Sequence, residues 1–543
     1  MTAFEPKSAS APSPTVAPLA DQQPAPPHTN PYIGILGVFL GAGLATLNAR
    51  LLGIGLPDLR GVKGFGFDEA SWIPTALNMA TMFSGVFVVF VNALSGPRRI
   101  LLPAAATFAV VSGILPFVPG YWPMLALIVI AGLASGTFYS LTLTFVLTAL
   151  PKRLIIFGIA AYAADIVFIS NIANLLEGWY IEHLSWAWIF WTAAAATPLM
   201  FLCVYFGIPC RPPAGPVPSW RGFAYFSGSL ALIYGALDQG ERLDWLNSGE
   251  VVAMLAGGVF LFLAACVRRL VQPNPTLKLS FLNRRNTIIL AIGIFVFKFV
   301  NLSAGVLVPG FLSTIHGYRP LETGYTLAWV ALPMLAMVWL VAWLAIYTNS
   351  RLTLALGLTV IAVACVICSR VDPAWAGNNF EILELLLALG FAASYLGLVS
   401  SIVLEGLEAG ALTAAANAAT FSGLMHFVRI FGGEVGTAAM VRIIAVRERF
   451  HDNLLGLHVQ AGNWLTDERL RVLSAGLFSP STGSSEAQAR AVGILGQQVR
   501  AQAYTMAISD GFIVIGWMAV GCLLLLLLLK QAKFSYQDLR KMK

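Results

Sequence analysis

Fourteen predominantly apolar runs follow one another along the chain, each close to the length of about 20 residues that a helix needs to cross a bilayer. They fall near 33–55, 70–93, 100–119, 122–149, 155–178, 187–208, 222–238, 250–268, 286–311, 323–346, 352–369, 381–404, 412–441 and 506–529. A backbone in hydrocarbon must satisfy its own amides, which leaves helices or closed barrels. Barrel strands alternate apolar and polar residues over about ten positions, whereas these runs are continuous. Of the 543 residues, 58% are hydrophobic and 11% charged. Soluble chains carry about 25% charged residues, so a water-exposed surface cannot absorb the excess. The chain is expected to be an all-α integral membrane protein of fourteen transmembrane helices.

Lys and Arg set the orientation. With the N-terminus inside, eighteen basic residues lie in cytoplasmic segments, among them Arg98, Arg99, Lys152, Arg153, Arg284, Arg285 and Arg351. The short outer loops hold five: Arg60, Lys63, Arg242, Arg319 and Arg370. This asymmetry places both termini in the cytoplasm of a bacterial inner membrane. The long outer segment 442–505 counts little in that comparison. Residues 1–31, rich in Pro, Ala and Ser, are expected to form a disordered cytoplasmic tail, and 531–543 a second one. The net charge of +7 comes from scattered positions rather than a basic run, so nucleic acid is not an expected partner. The six cysteines imply no disulfide framework, and Cys365-x-x-Cys368 lies inside an apolar run.

Fourteen spans divide into two six-helix halves, 32–208 and 286–530, with a linker and inserted helices 7 and 8 across 209–285. The Pro-rich stretch 209–218 closes the first half. A short basic loop, Ser95–Arg99, has a counterpart at Asn349–Arg351 in the equivalent place of the second. Internal repetition of this kind marks transporters, with the path at the interface of the halves. Here the chain resembles the fourteen-helix drug–proton antiporter branch of the major facilitator superfamily, the EmrB/QacA type. LNARLLGIGLP (Leu47–Pro57) is similar to the helix 1 pattern of that branch. LEGWYIEHLSWAWIFW is similar to its helix 5–6 junction, LDQGERLDWLNS (Leu237–Ser248) to the segment between its inserted helices, and FSGLMHFVRIFGGEVG (Phe421–Gly436) to its helix 13. The chain departs from the pattern at several positions. Asn48 stands for Asp and Arg50 for Thr; Ala93 stands for Asp after helix 2; Ile128 replaces the helix 4 Arg. Ser170 and Asn174 replace prolines in helix 5, where Gly178 remains. Several residues usually tied to proton coupling are therefore missing, and coupling must rest on other residues.

Ionisable side chains within spans are costly and functional by default. Lys298 lies about twelve residues into helix 9, some 18 Å deep, with Asn301 and Gly305 on its face. It is either a substrate contact or a structural cation. Asp165 sits in the middle of helix 5, where Asn171, Asn174 and Gly178 form a second polar face. It either exchanges protons or bonds a neighbouring helix. Glu434 interrupts Gly432, Gly433 and Gly436, about 140° around the helix from Arg429. The resemblance implies that helices 5 and 13 occupy equivalent places, which makes Asp165 and Glu434 symmetry-related candidates for proton coupling. Asn48 and Arg50 are about 200° apart, so at most one faces the path. Arg50 either snorkels outward or joins Lys298 in favouring an anionic substrate. The substrate-path candidates are Asn48, Arg50, Lys298, Asn301, Asn171, Asn174 and Arg429.

The six histidines show no metal spacing, and neither a phosphate-binding GKS/T loop nor a G-x-S-x-G nucleophile occurs. No cofactor, metal or enzymatic activity is expected. The leading expectation is secondary active efflux of small amphipathic compounds or drugs. An organic-anion or aromatic-acid transporter, and a receptor or scaffold without transport, are the alternatives. The segment 442–505 is expected to carry two amphipathic helices, one after Thr466 and one from Ser485 with an S-x-x-Q capping box to Gln488. It either folds back over its own transporter or docks a partner. The resemblance, extending through QQVRAQAYTMAISDGF (Gln497–Phe512), implies a periplasmic membrane-fusion adaptor and, beyond it, an outer-membrane channel.

Overall fold

A computed structural model describes residues 30–151, 154–210, 220–271, 284–408, 415–477 and 483–530. Residues 1–29 and 531–543 of the expected tails, most of the Pro-rich linker and the stretch 272–283 lie outside the described residues; Pro31, expected in the tail, opens the first helix. Sixteen α-helices, two short 3₁₀ turns and no strand occur among the described residues. In order they are α1 (Pro31–Ile54), α2 (Leu56–Lys63), α3 (Phe67–Ser95), α4 (Pro97–Ile114), α5 (Tyr121–Ala149), α6 (Ile155–His183), α7 (Trp188–Gly207) and α8 (Trp220–Gly240). There follow α9 (Gly249–Val271), α10 (Arg285–His316), α11 (Pro320–Tyr347), α12 (Ser350–Cys368), α13 (Gly377–Glu408), α14 (Ala415–Gly456), α15 (Trp464–Leu477) and α16 (Ser484–Leu527).

Twelve of these are long and apolar enough to cross a membrane. Helices α8 and α14 complete the expected fourteen. They fall short on hydropathy because they carry Asp238, Gln239, Arg429, Glu434 and Arg442, and they lie packed against spanning neighbours, α8 on α3 and α9, α14 on α10 and α16. Chain entry is defined locally. Asn30 caps α1, its side-chain oxygen accepting from the Tyr32 amide at 3.0 Å, with Pro31 in the first turn.

Apolar side chains cannot hold helices together against lipid, so the crossings depend on small residues. A Cβ on Gly34 or Gly207 would strike the other's backbone at 2.7 and 2.0 Å, which welds α1 to α7. Gly132 and Gly136 bring α5 onto Leu77 and Thr81 of α3 in the first half. Gly357 and Gly397 do the same for α12 and α13 in the second. Between the halves, Gly178 of α6 abuts the Leu321 backbone of α11, and Gly324 of α11 abuts Leu175 of α6. Gly432 and Gly436 lay α14 on the backbone of Phe295 and Phe299 in α10.

Outside the membrane the structure departs from the expected boundaries. The helix expected to end at 441 continues as α14 to Gly456, and the last span does not begin at 506 but grows out of α16 from Ser484. The two outer segments therefore include continuations of membrane helices, about 20 and 30 Å long at 1.5 Å per residue. The expected capping box at Ser485 is not formed; Gly483 is the N-cap, without a side-chain bond. The first outer helix, α15, starts at Trp464 rather than after Thr466 and packs on α16. Arg447 and His451 of α14 clasp Asp510 of α16 at 2.6 and 2.7 Å where the pair leaves the membrane.

Candidate functional site

Six spanning helices bring polar side chains together near mid-depth. Arg429 of α14 lies with its guanidinium 5.1 Å from the Tyr139 ring of α5 and 5.5 Å from the Tyr162 ring of α6. It is also within hydrogen-bonding reach of the Tyr395 hydroxyl of α13. Lys298 of α10 places its ammonium 5.4 Å from the same Tyr395 ring and 5.9 Å from Phe297. A cation over an aromatic face gains most where water is excluded, and Lys298 and Arg429 are both buried. Thr46 of α1 hydrogen-bonds the Tyr139 hydroxyl. Asp165 of α6 faces Arg429. Its Oδ2 is buried without a hydrogen-bond partner among the described residues.

Local sequence explains that placement of Asp165. Gly43 on α1 lacks a side chain where a Cβ would come within 2.9 Å of Asp165 Oδ1. Any larger residue there would displace the carboxylate or push α1 away. Toward the C-terminal end of α1 lies a second group. Arg50 of α1 faces Tyr139, Glu434 and Tyr234 of α8, and the Tyr234 hydroxyl reaches the Glu434 carboxylate. Arg50, Asp165 and Glu434 are each half-buried, whereas Lys298, Arg429, Tyr162 and Tyr395 beside them are buried.

The sequence candidates separate under this geometry. Asp165, Lys298 and Arg429 come together around the tyrosines, and Arg50 and Glu434 meet toward the C-terminal end of α1. Asn48 does not join them. It is seven residues from Gly41, hence on the same helical face, and that face packs on Met200 and Phe138. Asn171 donates to the Val167 carbonyl of its own helix at 2.8 Å, and Asn174 lies at the Gly324 crossing with α11. Asn301 is buried on α10 one turn from Lys298. Sequence reasoning missed Tyr139, Tyr162, Tyr395, Tyr234 and Asp238. A signal was available: tyrosine favours the membrane–water interface, and Tyr139, Tyr162 and Tyr395 lie well inside their apolar runs.

Long helices crossing on glycine seams, with charges of both signs at mid-depth between two halves, are the construction of a membrane transporter. Residues 38–433 match the Major Facilitator Superfamily, and the chain belongs to that family. It is 22% identical over 503 residues to the multidrug export protein EmrB of Haemophilus influenzae, covering 92% of this chain and 95% of that protein. It is 23% identical over 493 residues to the colistin resistance protein EmrB of Acinetobacter baumannii, covering 87% and 91%. The fatty acid resistance protein FarB of Neisseria gonorrhoeae is 21% identical over 436 residues, 78% of this chain and 83% of that one. Among solved structures, the human organic anion transporter MFSD10 shares the fold with a TM-score of 0.55 and 14% identity, covering 91% of this chain and all of the other. The proton:xylose symporter XylE shares it at 0.52 and 13%, covering 94% and 98%.

Proposed function

We propose that the protein is a secondary active efflux transporter that moves small amphipathic compounds out across a bacterial inner membrane and is driven by proton influx. The observation that carries this reading is the convergence of Tyr139, Tyr162 and Tyr395 with charges of both signs inside the spanning bundle. Tyr139, part-exposed, offers a ring face to flat apolar bodies, and Asp165 and Glu434 can each hold a proton or a positive group. Relatives over most of the chain's length are named for multidrug export and for colistin and fatty acid resistance. The energy scale is adequate. One proton moving through 100 mV releases about 2.3 kcal/mol, equivalent to a gradient of roughly fiftyfold at 1.4 kcal/mol per decade.

Both termini are placed on the cytoplasmic side, with halves 32–208 and 286–530 rocking about these residues. The continuations of α14 and α16, with α15 packed on α16, form a platform for a periplasmic membrane-fusion adaptor and its outer-membrane channel. Trp464 and Leu465 of α15 are 73% and 60% exposed and offer an apolar contact. A second reading, transport of organic anions, is favoured by the excess of Arg50, Lys298 and Arg429 over Asp165 and Glu434.

The test is transport by the purified protein in vesicles. An imposed pH gradient, acid on the side that corresponds to the periplasm, should drive uphill movement of a fluorescent amphipathic dye toward that side. A dye distribution that ignores the gradient would overturn the coupled reading. Preference for anionic over cationic dyes would select the second one.

A further inference from the structure

The sequence gives α8 no task beyond linking the two halves. In the structure it packs on α3 and α14, and its outer end turns polar side chains toward both. Tyr234 and Asp238 stand one turn apart on the same face, about 6 Å along the axis. The Tyr234 hydroxyl reaches Glu434 of α14. Asp238 Oδ2 accepts from the Thr75 hydroxyl of α3. Gln239 bonds the same Thr75 and donates to the Ser71 carbonyl at 3.1 Å. Arg242 then joins Gln239 to the exposed Asp68 at the surface. Above these, Arg442 pairs with Glu241 at 3.1 Å.

Asp238 is exposed to solvent although helices flank it. The charged and titratable groups that face it are Tyr234 and Arg242 of its own helix and Glu434 of α14; α3 presents the Thr75 hydroxyl. One turn toward the cytoplasm the character changes. Met82, Val86 and Leu230 pack with the Tyr234 ring and Ile430 into an apolar plug. From Glu434 the polar side chains instead turn inward to Arg50, which faces Tyr139, and Tyr139 shares Arg429 with Asp165.

We propose that the inserted helix α8 supplies the outer leg of the proton path, with Asp238 taking protons from the external side and passing them to Glu434. The proposal rests on the proton-coupled reading above. A proton leaves external water for the Asp238 carboxylate and transfers to the Glu434 carboxylate. Asp238 is left ionised for the next proton, and only O–H bonds form and break.

The experiment compares the parent with Asp238→Asn, Asp238→Glu and Tyr234→Phe in vesicles. Two rates are read: uphill dye transport driven by a pH gradient, and dye exchange at equal pH, which needs substrate binding and helix movement but no net proton transfer. Removing a positioned proton carrier should slow the gradient-driven rate of Asp238→Asn by about tenfold or more, with exchange kept near the parent's rate. Asp238→Glu should restore the gradient-driven rate, and Tyr234→Phe should fall between. Full gradient-driven transport in Asp238→Asn would overturn the inference and leave the coupled reading standing. Equal loss of both rates in Asp238→Asn and Asp238→Glu would also overturn it, because a structural role alone would explain that. A parent that ignores the pH gradient would overturn the coupled reading and this inference with it.

Discussion

At the scale of single residues, Asp165 and Lys298 carry opposite parts of the account. Asp165 has one carboxylate oxygen buried without a partner, and Gly43 leaves it room. An unpartnered buried carboxylate oxygen calls for an explanation, and the proposed coupling role supplies one. Asp165→Asn and Glu434→Gln should each abolish dye transport driven by a pH gradient, with membrane insertion unchanged. The check is uphill transport in vesicles matched for protein content, and full transport in both variants would remove these carboxylates from coupling. Lys298→Gln should weaken anionic substrates more than cationic ones, measured as the ratio of their half-saturation constants. Equal loss would mark a structural lysine. The charges were legible in the sequence because charged residues inside apolar runs stand out. Their company was not. Helix periodicity says which residues share a face, but it does not say that α5, α6 and α13 point tyrosines at the same Arg429.

At the scale of elements, glycine placement decides how closely helices approach. Gly178 and Gly324 press the outer ends of α6 and α11 together, and a Cβ on either would fall within 2.5 Å of opposing backbone. Gly178→Leu therefore has no space without separating the helices. Overpacking of this kind costs about 1–3 kcal/mol, read as a lower unfolding temperature in detergent. An unchanged unfolding temperature would show that this crossing does not hold the two helices together. Helix ends were the least legible part of the elements. A scan for apolar runs stops where lipid stops, so it could not see that α14 and α16 continue outward as polar helices. The His451–Asp510–Arg447 clasp that pairs them joins residues far apart in the chain, and no local pattern announces it. Removing residues 457–482 takes away α15 and its connections but leaves the α14–α16 pair. On the proposed docking role, that variant should insert normally and lose co-purification with a periplasmic membrane-fusion adaptor; unchanged adaptor capture would refute the docking role of α15.

At the scale of the whole molecule, the division into two halves was readable because cytoplasmic basic loops recur at matching places. The fourteen-helix count followed from segment length, although α8 and α14 are too polar to satisfy a hydropathy criterion on their own. That polarity gathers the residues on which the proposed coupling rests. Arg429 and Glu434 lie on α14, Tyr234 and Asp238 on α8, and the two helices pack together. Missing family residues at Asn48, Ala93 and Ile128 therefore do not leave the molecule without titratable groups; they lie instead on α6, α8 and α14. The most direct measurement is the proton count itself. A pH-sensitive dye sealed inside vesicles that hold the purified protein should report proton movement when an amphipathic substrate is added, opposite in direction to the substrate. The same addition should leave the pH unmoved in the Asp165→Asn, Glu434→Gln double variant. Substrate movement without any pH change in the parent, or the same pH change in the double variant, would contradict the account.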